Sequence, residues 1–209
     1  MRSALDMKDY EAARKQFRIE APDSFNFGFD VVDRYGEDEK KRALVWVDPS
    51  GKEERTFTFR DISRLSNRAA NALKKAGVKK GDRVFIMLPR IPEWYCILTA
   101  CHKLGAVIMP APVILAATDV EYRLGKGKAN VVITNAANRA KADEACAKAD
   151  ASVLKHRVLV GGEEKGWLSY EKITAGASET LSRDAVEKTS SKDPFLIYFT
   201  SGTTKYPKM

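Results

Sequence analysis

Apolar residues fall along this chain in two kinds of pattern. Short unbroken runs of three to five occupy 84–88, 106–109, 131–133, 158–160 and 195–199. Continuous apolar runs of this length are what strands buried on both faces of a parallel sheet show. Between them apolar positions recur at helical spacing. Ile62, Leu65, Ala69, Leu73 and Ala76 form one such series, and Gly77 ends it. Thr58 and Asp61 predict a capping pair at its start. Pro92 predicts the opening of a second helix that runs to Leu104 and is closed by Gly105. Thr118 with Glu121 predicts a capping box for a third, 135–148 an alanine-rich helix, and 169–175 a short one. Upstream, 1–17 is polar with a helical tendency, and the aromatic patch 25–29 reads as a clasp onto a following helix. Residues 43–47 and 55–59 read as strands around a turn at 48–52. The expected fold is α/β, a largely parallel sheet flanked by helices, with a small amino-terminal hairpin. Residues 161–166 and 189–193 read as surface loops.

Composition narrows the function classes. Of 209 residues, 44% are hydrophobic and 31% charged, ordinary usage for a domain with a packed core. Lys and Arg number 36 against 28 Asp and Glu, a formal net charge of +8 that suits a phosphate-bearing ligand without naming one. The basic residues are scattered in pairs, such as Lys74-Lys75 and Lys79-Lys80, without a stripe of interleaved aromatics. No nucleic-acid partner is therefore expected. Cys96, Cys101 and Cys146 are odd in number and lack a C-x-x-C spacing, which argues against a disulfide framework or a zinc site. With no apolar leader core in 1–10, this predicts a reduced, cytoplasmic location. The longest uncharged run, 104–118, is too short to span a bilayer and contains Pro110 and Pro112, so no transmembrane segment is expected. His102 and His156 have no partner at a catalytic or metal-ligand spacing and read as structural or surface residues. Glu53-Glu54 and Glu163-Glu164 read as solvated charge, and no metal ligand is named.

The chemistry concentrates in Thr200-Ser201-Gly202-Thr203-Thr204-Lys205-Tyr206-Pro207-Lys208, directly after the last apolar run. A triphosphate needs many hydrogen-bond donors and some positive charge. Hydroxyls and backbone N–H groups supply the donors, and Gly202 allows close backbone approach. Lys208 supplies a point charge. The segment leaves the carboxyl end of a strand, where open α/β sheets bind ligands. It is not a Walker A loop, since no G-x-x-x-x-G-K-[ST] occurs.

The order of these residues resembles the signature of the adenylate-forming superfamily, Thr-Ser-Gly-Thr-Thr-Gly-x-Pro-Lys, with Lys205 standing where the family has glycine. Further likeness to medium-chain acyl-CoA synthetases lies at 25–27, 81–84, 88–94, 109–110, 118–124 and 166–168. The resemblance implies ATP-dependent activation of a short-, branched- or medium-chain fatty acid to an acyl-adenylate, then to acyl-CoA, with ATP, Mg²⁺ and CoA taking part. It assigns the β- and γ-phosphates of ATP to Thr200, Ser201, Gly202, Thr203, Thr204 and Lys208. Basic residues near Arg139 and Lys141 contact CoA phosphate in related enzymes, although here a solvated helix face is the plainer reading. The resemblance divides the chain into an extension with the aromatic clasp (1–40) and an incomplete AMP-binding domain (41–209). It puts the adenine-binding, magnesium-binding and catalytic residues later than Met209. No catalytic residue is therefore named, and the chain alone is expected to be inactive. Aryl-CoA ligases, amino-acid-activating modules, luciferase-like oxidases and a non-catalytic nucleotide-binding fragment are the alternatives.

Overall fold

The computed structural model describes residues 9–18, 21–200 and 207–209. Helix α1 (Tyr10–Gln16) is capped by Asp9, whose carboxylate accepts from the Ala12 N–H at 3.0 Å. A π-helical turn at Gly28–Asp33 follows, and strands β1 (Arg42–Val47) and β2 (Glu54–Thr58) pair antiparallel as the expected hairpin. Asp48 builds its turn by accepting from the N–H groups of Glu53, Ser50 and Lys52. Those donors, Glu53 foremost, hold the Asp48 carboxyl down to about 2.

From there strand and helix alternate: α2 (Phe59–Lys75), β3 (Arg83–Met87), α3 (Pro92–Leu104), β4 (Val107–Pro110), α4 (Ala117–Gly127), β5 (Val131–Asn135), α5 (Arg139–Ala147), β6 (His156–Val160), β7 (Leu168–Ser169) and α6 (Tyr170–Ala175). The capping pair forms as read: Thr58 Oγ1 accepts from the Asp61 N–H at 3.1 Å, and the Asp61 carboxylate accepts from the Thr58 N–H at 2.9 Å. Pro92 opens α3, and Gly105 closes it with φ +69°. The second box is displaced. Helix α4 begins two residues earlier than Thr118 and Glu121 would place it, and Asp119 reaches back to the Ala116 N–H at 3.3 Å. Ala116 has no side-chain oxygen to return the bond, so the cap is one-sided.

All five strands of the main sheet are parallel, in the order β4-β3-β5-β6-β7. This is the doubly wound order with its switch point between β3 and β5. Parity along the strands divides two cores. Val84, Ile86, Val131 and Ile133 face Ala69, Leu73, Ile97, Cys101 and Leu104 of α2 and α3. Phe85, Met87 and Val132 face Val120, Leu124, Ala142 and Ala145 of α4 and α5. A smaller cluster of Val32, Phe57, Ile62 and Cys96 seats the hairpin. The α/β expectation thus holds, with helices covering both faces.

One expected strand differs. Residues 195–199 lie parallel to β4 but join it through a single bridge: the Ile108 N–H donates to Phe195 O at 3.2 Å and the Ile197 N–H to Ile108 O at 2.8 Å. Phe195, Leu196 and Tyr198 are 47%, 37% and 62% exposed, so the run is a half-open edge and not a buried strand.

The aromatic clasp rests on polar contacts as well as rings. The Asn26 amide donates to the carbonyls of His102 and Lys103 at 2.8 and 3.3 Å, satisfying the end of α3. Its Oδ1 accepts from the Gly28 N–H at 3.0 Å. Lys103, fully buried, crosses beneath the π turn and donates to Asp33 Oδ1 and Asn67 Oδ1, both at 2.6 Å. Burial pushes its ammonium down, and the Asp33 carboxylate opposes that.

Candidate functional site

The edge segment delivers Thr200 to the carboxyl side of the sheet, and the chain returns at Pro207. The Thr200 N–H donates to Lys208 O at 2.9 Å, and the Lys208 N–H donates to Thr200 O at 3.1 Å. This reciprocal pair ties the two ends of the candidate phosphate loop together. Ser201, Gly202, Thr203, Thr204 and Lys205 lie outside the described residues. Of the sequence-named residues, Thr200 and Lys208 are therefore the two whose placement is given, and they are adjacent. The Lys208 side chain is exposed and free to reach an anion, because its backbone alone closes the loop.

Helix α4 supports the base of this loop. The Tyr122 hydroxyl donates to Pro207 O at 3.0 Å, and its ring meets Phe199 edge-on at 6.3 Å. The Arg123 guanidinium lies over the same Phe199 ring at 5.4 Å. Gly127 is the point of closest approach: a β-carbon there would overlap the Met109 side chain and touch the Phe199 ring. Tyr122 and Arg123 belong to the 118–124 likeness, but nothing in that string of residues says which loop they meet.

Arg139 and Lys141 are occupied by their own fold. Arg139 pairs with Asp143 at 2.5 Å and Glu164 at 3.3 Å, and Lys141 Nζ donates to Val113 O at 2.5 Å. Asp143 also accepts from the Trp167 indole at 2.8 Å, so these charges form a cross-link from α5 to the loop before β7. The three cysteines are free and buried. Burial pushes the Cys96 and Cys101 thiols up to about 12 and Cys146 up to about 11, which leaves them protonated and unreactive. His102 lines a cleft of about 260 Å³ with Phe27, Thr189, Asp193 and Phe195. It stacks on Phe195 at 4.1 Å, its Nδ1 is buried without a hydrogen-bond partner, and burial holds it down to about 4. Among the described residues, no three His, Cys, Asp or Glu side chains converge as a metal site. No helix of the described residues is long and apolar enough to cross a membrane.

Comparison with known proteins bears on this arrangement. The family described as AMP-binding enzyme matches residues 33–209. Human mitochondrial acyl-coenzyme A synthetase ACSM4 is 39% identical over 98% of this chain and 36% of its own length. Human mitochondrial acyl-coenzyme A synthetase ACSM3 is 33% identical over 98% of the chain and 35% of its own. The chain thus spans about a third of the length of the curated relatives it matches. Among solved structures, a Brucella canis acyl-CoA synthetase superposes with TM-score 0.80 at 28% identity, over 95% of this chain and 37% of that one. The anthranilate CoA ligase AuaEII in complex with anthranoyl-AMP gives 0.76 at 25% identity, over 90% and 34%. The relatives overturn the cytoplasmic expectation, since these synthetases are named as mitochondrial. The earlier criteria could not have seen this. A search for an apolar leader core detects secretory signals, whereas mitochondrial leaders are amphipathic and Arg-rich.

Proposed function

Since this chain belongs to the AMP-binding enzyme family, as an acyl-CoA synthetase of the adenylate-forming type, we propose that it supplies the phosphate-holding part of an enzyme converting a fatty acid to its CoA thioester. The substrate carboxylate attacks the α-phosphorus of ATP, and pyrophosphate leaves as the acyl-adenylate forms. The CoA sulfur then attacks the acyl carbon, AMP departs, and the thiol proton passes to solvent. Short-, branched- or medium-chain acids are the proposed substrates.

Thr200, Ser201, Thr203 and Thr204 donate hydroxyl hydrogen bonds to the β- and γ-phosphate oxygens, and Gly202 lets the backbone N–H groups approach. The Lys208 ammonium balances the charge that builds on departing pyrophosphate. Mg²⁺ bound with the nucleotide would neutralise further phosphate charge. The described residues present no cluster of acids to hold it, and none is assigned to that role. Positioning and charge neutralisation carry chemistry of this kind. Residues 41–209 are proposed as the incomplete AMP-binding domain and 1–40 as the extension bearing the clasp. The compartment inferred from the relatives is mitochondrial.

The observation that supports this reading best is the closed Thr200/Lys208 base on the carboxyl side of a segment parallel to the sheet. Lys208→Ala in the complete enzyme tests it, because the closure uses backbone atoms and survives the change. Pyrophosphate release should show the KM for ATP raised roughly tenfold or more, with the KM for acid little changed. An unaltered ATP dependence would falsify the assignment. Running straight, branched and aromatic acids in the same assay separates the fatty-acid reading from an aryl-acid one, which the likeness to an anthranilate ligase favours second.

A further inference from the structure

The contacts at the base of the loop point to a positioning residue. We propose that Tyr122 sets the shape of the phosphate loop by holding its return strand, an inference that rests on the phosphate-loop reading of Thr200–Lys208. Pro207 has no N–H, so its carbonyl is the one backbone group it can offer for hydrogen bonding. That carbonyl accepts from the Tyr122 hydroxyl at 3.0 Å. One residue later, Lys208 exchanges two backbone hydrogen bonds with Thr200. The outgoing side of the loop is held from the same helix. Phe199 lies against the Tyr122 ring and under the Arg123 guanidinium, and Gly127 lets α4 come down onto Met109 and Phe199.

Tyr122 therefore touches both stems: the residue before Thr200 through its ring, and the residue before Lys208 through its hydroxyl. The stems flank the residues that donate to phosphate. A loop whose ends are fixed loses less conformational freedom when it closes on an anion. The edge segment cannot supply this fixation by itself, since a single bridge joins it to β4. Helix α4 is anchored in the core through Val120 and Leu124, and it carries the rigidity of the sheet out to the loop.

Tyr122→Phe in the complete enzyme keeps the ring contact and removes the one hydrogen bond. The expected result is a KM for ATP raised about fivefold, the weight of a single neutral hydrogen bond, with the KM for the acid unchanged. Hydrogen exchange at the Thr200 and Lys208 amides should rise, while exchange in β3 and β5 stays as in the parent. An unchanged KM for ATP, or faster exchange spread across β3 and β5, overturns the proposal. Lys208→Ala run alongside separates the two layers. If it weakens ATP use and Tyr122→Phe does not, the loop stands and the brace falls. If neither variant matters, the loop assignment falls with it.

Discussion

The centre of the sheet and its β4 edge are built from similar residues and behave differently. In the centre, Phe85, Ile86, Val132 and Ile133 are wholly buried, each strand is paired on both sides, and helices press on both faces. At the edge, residues 195–199 carry an equally apolar string yet meet β4 through two backbone hydrogen bonds and leave three large side chains part-exposed. Hydrophobicity alone did not decide burial. Neighbours on both sides did.

This contrast can be tested by substitutions of matched chemistry. Ile133→Ala opens a void that surrounding strands cannot fill, and should cost about 3 kcal/mol in urea unfolding. Leu196→Ala at the edge should cost less than about 1 kcal/mol, as expected away from a packed core. Comparable losses at the two positions would mean that the edge is as tightly held as the centre. The next effect is set by pH. His102 stacks on Phe195 of the edge segment, and its imidazole is held at about 4 against an ordinary 6.5. The unfolded chain therefore binds this proton more readily than the folded one. Stability is undiminished above 6.5 and falls as pH drops from 6.5 towards about 4. Asp193 shares the cleft, and its carboxylate is held low chiefly by Lys80, so it stays ionised across that window. His102→Phe keeps a ring against Phe195 and should flatten the Tm profile between those two values. A profile as steep as the parent's would place the pH sensitivity elsewhere. The smallest of these effects is expected at Thr58, whose cap serves α2 at the centre. Thr58→Ala should lower stability by about 1 kcal/mol at neutral pH, read from the shift in urea midpoint.

Much of the centre was readable from local chemistry. The Thr58/Asp61 box, Pro92 and Gly105 each act through their own backbone, so their meaning survives without tertiary context. The unbroken apolar runs marked the parallel strands, but no residue in them states which strand lies beside which. The order β4-β3-β5-β6-β7 was therefore hidden. Thr118 and Glu121 had the spacing of a box, yet the chain entered α4 earlier and Asp119 took the role. The loop residues were legible as a motif, whereas the brace from Tyr122 was not. A tyrosine amid charged neighbours on a helix gives no sign of a carbonyl eighty-five positions away. Lys103 misled in the opposite sense, since a lysine reads as surface unless its partners are known.

That buried lysine has a consequence for where the molecule can be divided. Its stem lies against Gly28 and its ammonium ends on Asp33, both drawn from the opening stretch of the chain. Asp30 adds a second tether, a paired contact to Arg183 at 2.6 and 2.7 Å. Cutting the polypeptide just ahead of the hairpin would leave a cation in the interior with an amide and a distant carbonyl for company. The early segment is thus the counter-ion of a helix encoded seventy positions later, and the two have to be inherited together.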